Sequence, residues 1–332
     1  LKTMAWVLAL ACMVVAPSWA AAPPSGNYRV THQYALGGSG GWDYLTLDPS
    51  TNHLFVARDN RVMVVDTKSG KVVKEIPGMK HAHGVALVPD LQRAYVTNGD
   101  ANDVSVVDLK TLAVAGSIPV GGKDPDAIIY DSATSHVLTM NGDSNSISVI
   151  DPRLGKELQT IALAGNPEFA TSDGHGNVYV NLEDKGELAH IDTRANAVKQ
   201  TWSLSPCEGP TGLALDTVNQ RLFSVCANGW LIVTDAGSGH QVARLPIGKA
   251  PDAVAYDART HTVFSSSREG VLDVIHQVDK DHYSSAKAVP TLKSARTLAL
   301  DPAAHEIFLV GAKSAVKGKP VSGFTMLVVE PH

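Results

Sequence analysis

From residue 28 onward the chain alternates between short apolar runs and clusters of Gly, Pro, Asn and Asp. The stretch Gly84–Asp108, GVALVPDLQRAYVTNGDANDVSVVD, shows the unit. Two apolar strands meet at Pro89-Asp90, and Asn98-Gly99-Asp100 turns into a third strand, Val104–Val107. Runs of strand length punctuated by turn residues predict a β-meander rather than a helix. One such meander alone has nothing to pack against. The pattern recurs with mid-strand anchors at Phe55, Tyr95, Leu138, Tyr179, Phe223, Phe264 and Phe308, 40 to 44 residues apart. A period in the low forties, made only of strand sequence, predicts propeller blades of four strands each.

Other residues keep the same phase. Asp66, Asp108, Asp151, Asp192 and Asp235 close the third strand of repeats one to five, each before a short turn where an Asx-type bond to downstream backbone is expected. Pro77, Pro119 and Pro246 fall late in fourth strands, and proline belongs on an edge because it cannot donate to a ladder. Seven anchors predict seven blades. The seventh, from Arg296 to the strand Leu327–Glu330, is one strand short, and Tyr28–Leu36 (YRVTHQYAL) fits the vacancy. The expectation is therefore an all-β, seven-bladed propeller of four-stranded antiparallel blades, closed by an N-terminal strand.

RAYVTNGDANDVSVVD resembles the signature of the YVTN-repeat β-propeller family, which includes the YncE-like secreted proteins. The tetrad YVTN is verbatim only at Tyr95–Asn98, with degenerate forms LFVA, VLTM, VYVN, LFSV, VFSS and IFLV in the other repeats. The resemblance spans residues 21–332, implies the propeller fold, and leaves activity open because one fold hosts unrelated functions.

The length of 332 residues would suggest two domains, but the repeat consumes residues 21–332 as one. Composition is that of a globular chain, 44% hydrophobic and 18% charged. Net charge is -5 and no Lys/Arg-rich run occurs, which argues against nucleic acid as a partner. Residues 1–20 read as a secretory signal: Lys2, the apolar run Ala5–Val15, then Ser18-Trp19-Ala20 before a cut at Ala21. The apolar run is too short to span a bilayer, so the expected product is a soluble, periplasmic or secreted monomer. Outside that leader stand two cysteines, Cys207 and Cys226, an even count that favours a disulfide in an oxidising compartment.

The segments leading into the first strand of each repeat should open at one mouth of the channel. They supply Trp42 and Asp43, His81 and His83, Asp124 and Asp126, Glu168, Glu208, Asp252, and Arg296. Among the thirteen histidines only the His81-Ala-His83 pair is expected there; His53, His136, His261 and His305 fall in turns on the opposite face. Residues i and i+2 of an extended segment point to one side, so both imidazoles can address one ion. With Asp126 and Glu168 they suit zinc or copper. The insertion Gly311–Gly323 brings Lys313, Lys317 and Lys319 to the same face.

The one GxSxG match, Gly37-Gly38-Ser39-Gly40-Gly41, is a glycine-rich link that precedes a strand rather than a helix and so is no nucleophile elbow, and no Walker loop or HExxH is present. The leading expectation is a non-enzymatic binding or scaffold propeller that takes a small molecule, a metal ion or a protein at its mouth. The alternative is a metal-dependent hydrolase, lactonase or lyase using Asp126, Glu168, Glu208 and His83.

Overall fold

The computed structural model describes residues 27–314 and 322–332. The expected signal segment, Lys317 and Lys319 lie outside the described residues. Within them the chain is a β-propeller, its only helices being three-residue 3-10 turns such as Pro89–Leu91 and Gly99–Ala101. No helix among the described residues is long and apolar enough to cross a membrane.

Among the described residues six sheets form, not the seven expected blades. Four have four strands, one has five, and one has six. The six-stranded sheet holds the strands of the first two sequence repeats, from Leu45–Asp48 to Ala113–Pro119. Its two long members explain the merger. His53–Asp66 runs through what the pattern reads as two strands, and Lys71–Val88 runs from the outer position of repeat one into the inner position of repeat two. The sequence pattern places Pro77 late in a fourth strand. Pairing continues past it, Arg61 opposite Pro77 and Asp59 opposite Ala82 with a register shift between the two pairs, so the ladder crosses the boundary. Around the axis the innermost strands still follow one another in a closed circle. Their order is Leu45–Asp48, the C-terminal part of Lys71–Val88, Pro125–Asp131, Pro167–Ser172, Pro210–Asp216, Pro251–Asp257 and Thr297–Asp301.

The ring closes as the sequence suggests. Tyr28–Ala35 is the outer strand of the sheet that ends the chain, antiparallel to Ser322–Pro331, with Tyr28 opposite Pro331 and Ala35 opposite Thr325. Cores lie between neighbouring sheets. At the closure Leu54, Val56 and Met63 pack with Phe308, Phe324 and Met326. Inner strands approach so closely that a Cβ on Gly84 would sit 2.9 Å from the Ile128 side chain, and one on Gly212 2.9 Å from the Ala253 Cα. All five Asx turns form, with Asp66, Asp108, Asp151, Asp192 and Asp235 accepting from backbone N–H groups three residues on at 2.7 to 3.0 Å.

Cys207 and Cys226 are disulfide-bonded, 19 residues apart and both buried. The bond joins the loop before the inner strand Pro210–Asp216 to the end of Arg221–Cys226. A closed loop of this size is worth about 3 kcal/mol by chain entropy. The Cys207→Ser/Cys226→Ser protein should unfold in urea with stability lower by about that amount, and reductant should bring wild type toward it. Identical midpoints would show that the bond contributes nothing.

Candidate functional site

Four of the inner strands are held at the mouth end by a buried side chain of the preceding repeat. Thr97 Oγ1 donates to the Asp126 carbonyl at 2.6 Å, Asn181 Nδ2 to the Thr211 carbonyl at 2.8 Å, and Thr211 Oγ1 to the Pro251 carbonyl at 3.1 Å. Ser266 Oγ donates to the Arg296 carbonyl in the same way. Hydroxyls and an amide, three on second strands and that of Thr211 on an inner strand, thus fix the backbone from which the next repeat's mouth residues project.

Two cations sit in the resulting ring of acids. Arg296 bridges the ring closure: Nη1 contacts Asp43 Oδ1 at 3.4 Å and Asp252 Oδ2, while Nη2 donates to the Trp42 carbonyl at 2.8 Å. Burial works against this charge, but Asp252 and Asp43 outweigh it and hold the guanidinium pKa above its ordinary value. His83 is the second. Its Nδ1 lies 2.7 Å from Asp43 Oδ2 and 3.3 Å from Asp126 Oδ1, and its Nε2 lies 3.7 Å from Asp124 Oδ1. Burial alone would push the imidazole down. The bond to Asp43 and the charges of Asp126 and Asp124 overcome that and raise it to about 9.

The remaining carboxyls are less well compensated. Burial raises Asp126 to about 7, with Asp43, Asp124 and Asp252 adding to it and His83 opposing. Burial, then Asp126, Glu183, Asp252 and Asp43, pushes Glu168 well above the usual carboxylate range. Asp126 Oδ1 and the amide oxygen of Asn166 are buried without a hydrogen-bond partner. Among the described residues, five acids (Asp43, Asp124, Asp126, Glu168 and Asp252) therefore share Arg296 and His83, with the exposed Arg268 3.4 Å from Asp252 Oδ1 at the rim.

The sequence did not single out Tyr44. It extends from repeat one to pack on Phe169 of repeat four, ring centroids 5.3 Å apart, so it reaches across the axis. Burial and the charges of Asp126, Glu168, Asp43 and Asp252 push its phenol well above the ordinary value. The mouth is thus an acid-walled cup with an aromatic floor. Register shows the signal: the residue after each mouth-facing position is Tyr44 or Phe169 in these two repeats and Gly84, Ala127, Gly212, Ala253 or Thr297 in the others.

Not every expected residue joins. Glu208 is exposed, held through its backbone N–H by Asn228 at 3.3 Å, and takes no part in these contacts. Trp42 contributes its carbonyl, while its indole packs on Phe324 at 5.1 Å. The histidine pair is not a simple extended segment, because His81 adopts a left-handed φ of 62°. It stays half exposed, 3.8 Å from Asp100, with its ring 4.3 Å from that of His83. Ligand atoms of His81, His83 and Asp124 lie within 4.8 Å of one another, as do those of Asp43, His83 and Asp126; Glu168 is in neither group. A cavity of about 290 Å³ opens beside them, lined by Trp42, Asp59, His81, His83 and Arg296. His305, expected to be solvated, instead contacts the buried Asp257 at 2.5 Å.

No protein-family profile and no curated protein matches the chain. Solved structures do. The chain superposes on hydrazine synthase of Kuenenia stuttgartiensis with a TM-score of 0.73 at 18% identity, covering 82% of this chain and 93% of that one. The WD40 repeats of RRP9 give 0.78 at 10% identity, over 90% of this chain and 97% of theirs. U3-55K gives 0.75 at 10% identity, over 90% and 98%. At these identities the likeness shows fold alone: the chain is a β-propeller similar to WD40 proteins. Membership of the YVTN-repeat family is not shown by it.

Proposed function

We propose that this is an exported, monomeric, single-domain binding propeller of YVTN type, without catalytic activity, whose acidic cup takes a cationic ligand. The observation that carries the reading is the charge imbalance: among the described residues five carboxyls face Arg296 and His83, with the exposed Arg268 touching Asp252 at the rim, and Asp126 and Glu168 are left without a full counter-charge. A bound cation relieves that cost, whether it is a metal ion or an ammonium resting over Tyr44 and Phe169. The same acids disfavour a phosphate backbone. The disulfide supports the exported location, and the YVTN tetrad at Tyr95–Asn98 supports the family.

The test is calorimetric titration of zinc sulfate and of spermidine into wild type and Asp126→Asn/Glu168→Gln. Both cations should bind wild type, and spermidine should bind the double variant at least about tenfold more weakly, equivalent to about 1.4 kcal/mol. Failure of both cations to bind, or spermidine affinities equal in the two proteins, would overturn the reading. The hydrolase, lactonase or lyase alternative draws on Asp126 alone, whose pKa of about 7 suits general acid–base work. Lactone turnover by zinc-loaded protein, lost in Asp126→Asn, would establish it instead.

A further inference from the structure

Resting on the cation-binding reading, we infer that the cup holds one transition-metal ion on His83 Nε2, His81 and Asp124. Asp43 acts as the positioning residue, and Gly99 supplies the space.

The argument turns on what each nitrogen of His83 is already doing. Nδ1 is engaged by Asp43 Oδ2 at 2.7 Å, and Asp43 is itself anchored to Arg296. Nε2 is buried and has no hydrogen-bond partner. An imidazole whose far nitrogen donates to a carboxylate, and whose near nitrogen is unfilled, has the arrangement that orients metal-bound histidines and raises their basicity. The group Asp43, His83 and Asp126 is the poorer choice, since an ion at Nδ1 would have to break the 2.7 Å bond.

At Nε2 the other donors are at hand. Asp124 Oδ1 is 3.7 Å away, close to the edge of a tetrahedron with bonds of about 2.0–2.2 Å. All three ligand atoms fall within 4.8 Å of one another, and the exposed His81 ring is free to turn inward. Two imidazoles and one carboxylate suit zinc or copper, and three protein ligands leave one tetrahedral position for water or a small ligand. Binding releases the proton from Nε2, as metal–histidine bonds require.

Gly99 forms the wall of this space. A Cβ there would lie 2.3 Å from Asp124 Oδ1 and 2.9 Å from His83 Nε2, and the backbone of Gly99 is not left-handed. Alanine is therefore tolerated by the chain and excluded only by the ligands. The equivalent Gly142 is roomier, its nearest neighbours being Asn166 Oδ1 at 3.4 Å and Asp124 Oδ2 at 3.5 Å.

Zinc sulfate titrated into the chelator-treated full chain should bind one equivalent. Affinity should fall at least tenfold in His81→Ala and in Asp124→Asn, and comparably in Gly99→Ala, where the added Cβ displaces Asp124 Oδ1 and His83 Nε2. Glu208→Gln, at an exposed residue outside these contacts, should bind zinc within about threefold of wild type. Zinc binding that survives His81→Ala and Asp124→Asn but is lost in Glu168→Gln would overturn this ligand set while sparing the cation-binding reading. Equal affinity in every variant would place the ion elsewhere and overturn the metal assignment, leaving the spermidine titration to decide the broader reading. No zinc binding to wild type would end the metal assignment, and the spermidine titration would then decide the broader reading.

Discussion

Removing residues 27–36 should lower the thermal unfolding temperature of the whole protein by about 10 °C or more. Tyr28 is buried against Phe264 at 4.9 Å and Val30 packs into the same core. Losing two such side chains costs about 4 kcal/mol, and each kcal/mol shifts the midpoint of a domain this size by about 2–4 °C. The deletion also leaves Ser322–Pro331 as a bare sheet edge, since the two strands pair from Tyr28 to Ala35. Damage should reach the cup. The strand leads through Gly37–Gly41, whose Ser39, Gly40 and Gly41 carbonyls accept hydrogen bonds from the buried Arg58 at 2.7 to 3.1 Å. Arg58 in turn lies over Phe324, 3.7 Å from the ring centroid. Asp43 follows directly, so the truncated chain should bind cations poorly even where it stays folded. A synthetic peptide of residues 27–37 added in trans should restore part of the loss. An unchanged unfolding midpoint would mean that the strand is an ornament rather than a closure.

How far the sequence reached can be judged residue by residue. Strand positions follow from alternation and turn residues, and the Asp-led turns from the capacity of a carboxylate to accept two nearby N–H groups. Tyr28–Leu36 was legible because a blade one strand short needs a partner. The disulfide was legible because two cysteines fall at one end of one antiparallel pair. The number of sheets was not. It depends on whether the chain folds back after Pro77-Gly78, and there the ladder to Arg61 and Asp59 continues instead. The mouth was read as a list of charges, of which the structure brings together all but Glu208. Its internal geometry rests on left-handed backbone at His81 and Asp124, with φ of 62° and 54°, which hydrophobic patterning does not encode. The aromatic floor was missed because it becomes visible only when Tyr44 and Phe169 are set in register against the small residues of the other repeats.

The fold should lose stability as pH rises from about 6.5 to 9, and His83 should account for most of the loss. Its folded pKa of about 9 lies above the reference value of 6.5. Such a group contributes stability that is complete below the unfolded pKa and disappears as pH climbs through the folded one. At about 1.4 kcal/mol per pKa unit, holding this proton is worth on the order of 3 kcal/mol. The facing groups are Asp43, Asp124 and Asp126, with His81 alongside and Arg296 behind Asp43. Asp126, raised to about 7, acts in the same direction at lower pH, since its contribution is also lost as pH rises through that value. Urea unfolding at pH 6, 7.5 and 9, in buffer containing a chelator, measures the effect. Wild type should lose about 2–3 kcal/mol between the first and last of these. His83→Gln should start lower at pH 6 and change little above pH 7.5, because it has no proton to give up there. Parallel curves for the two proteins would show that His83 does not carry the charge that balances the ring.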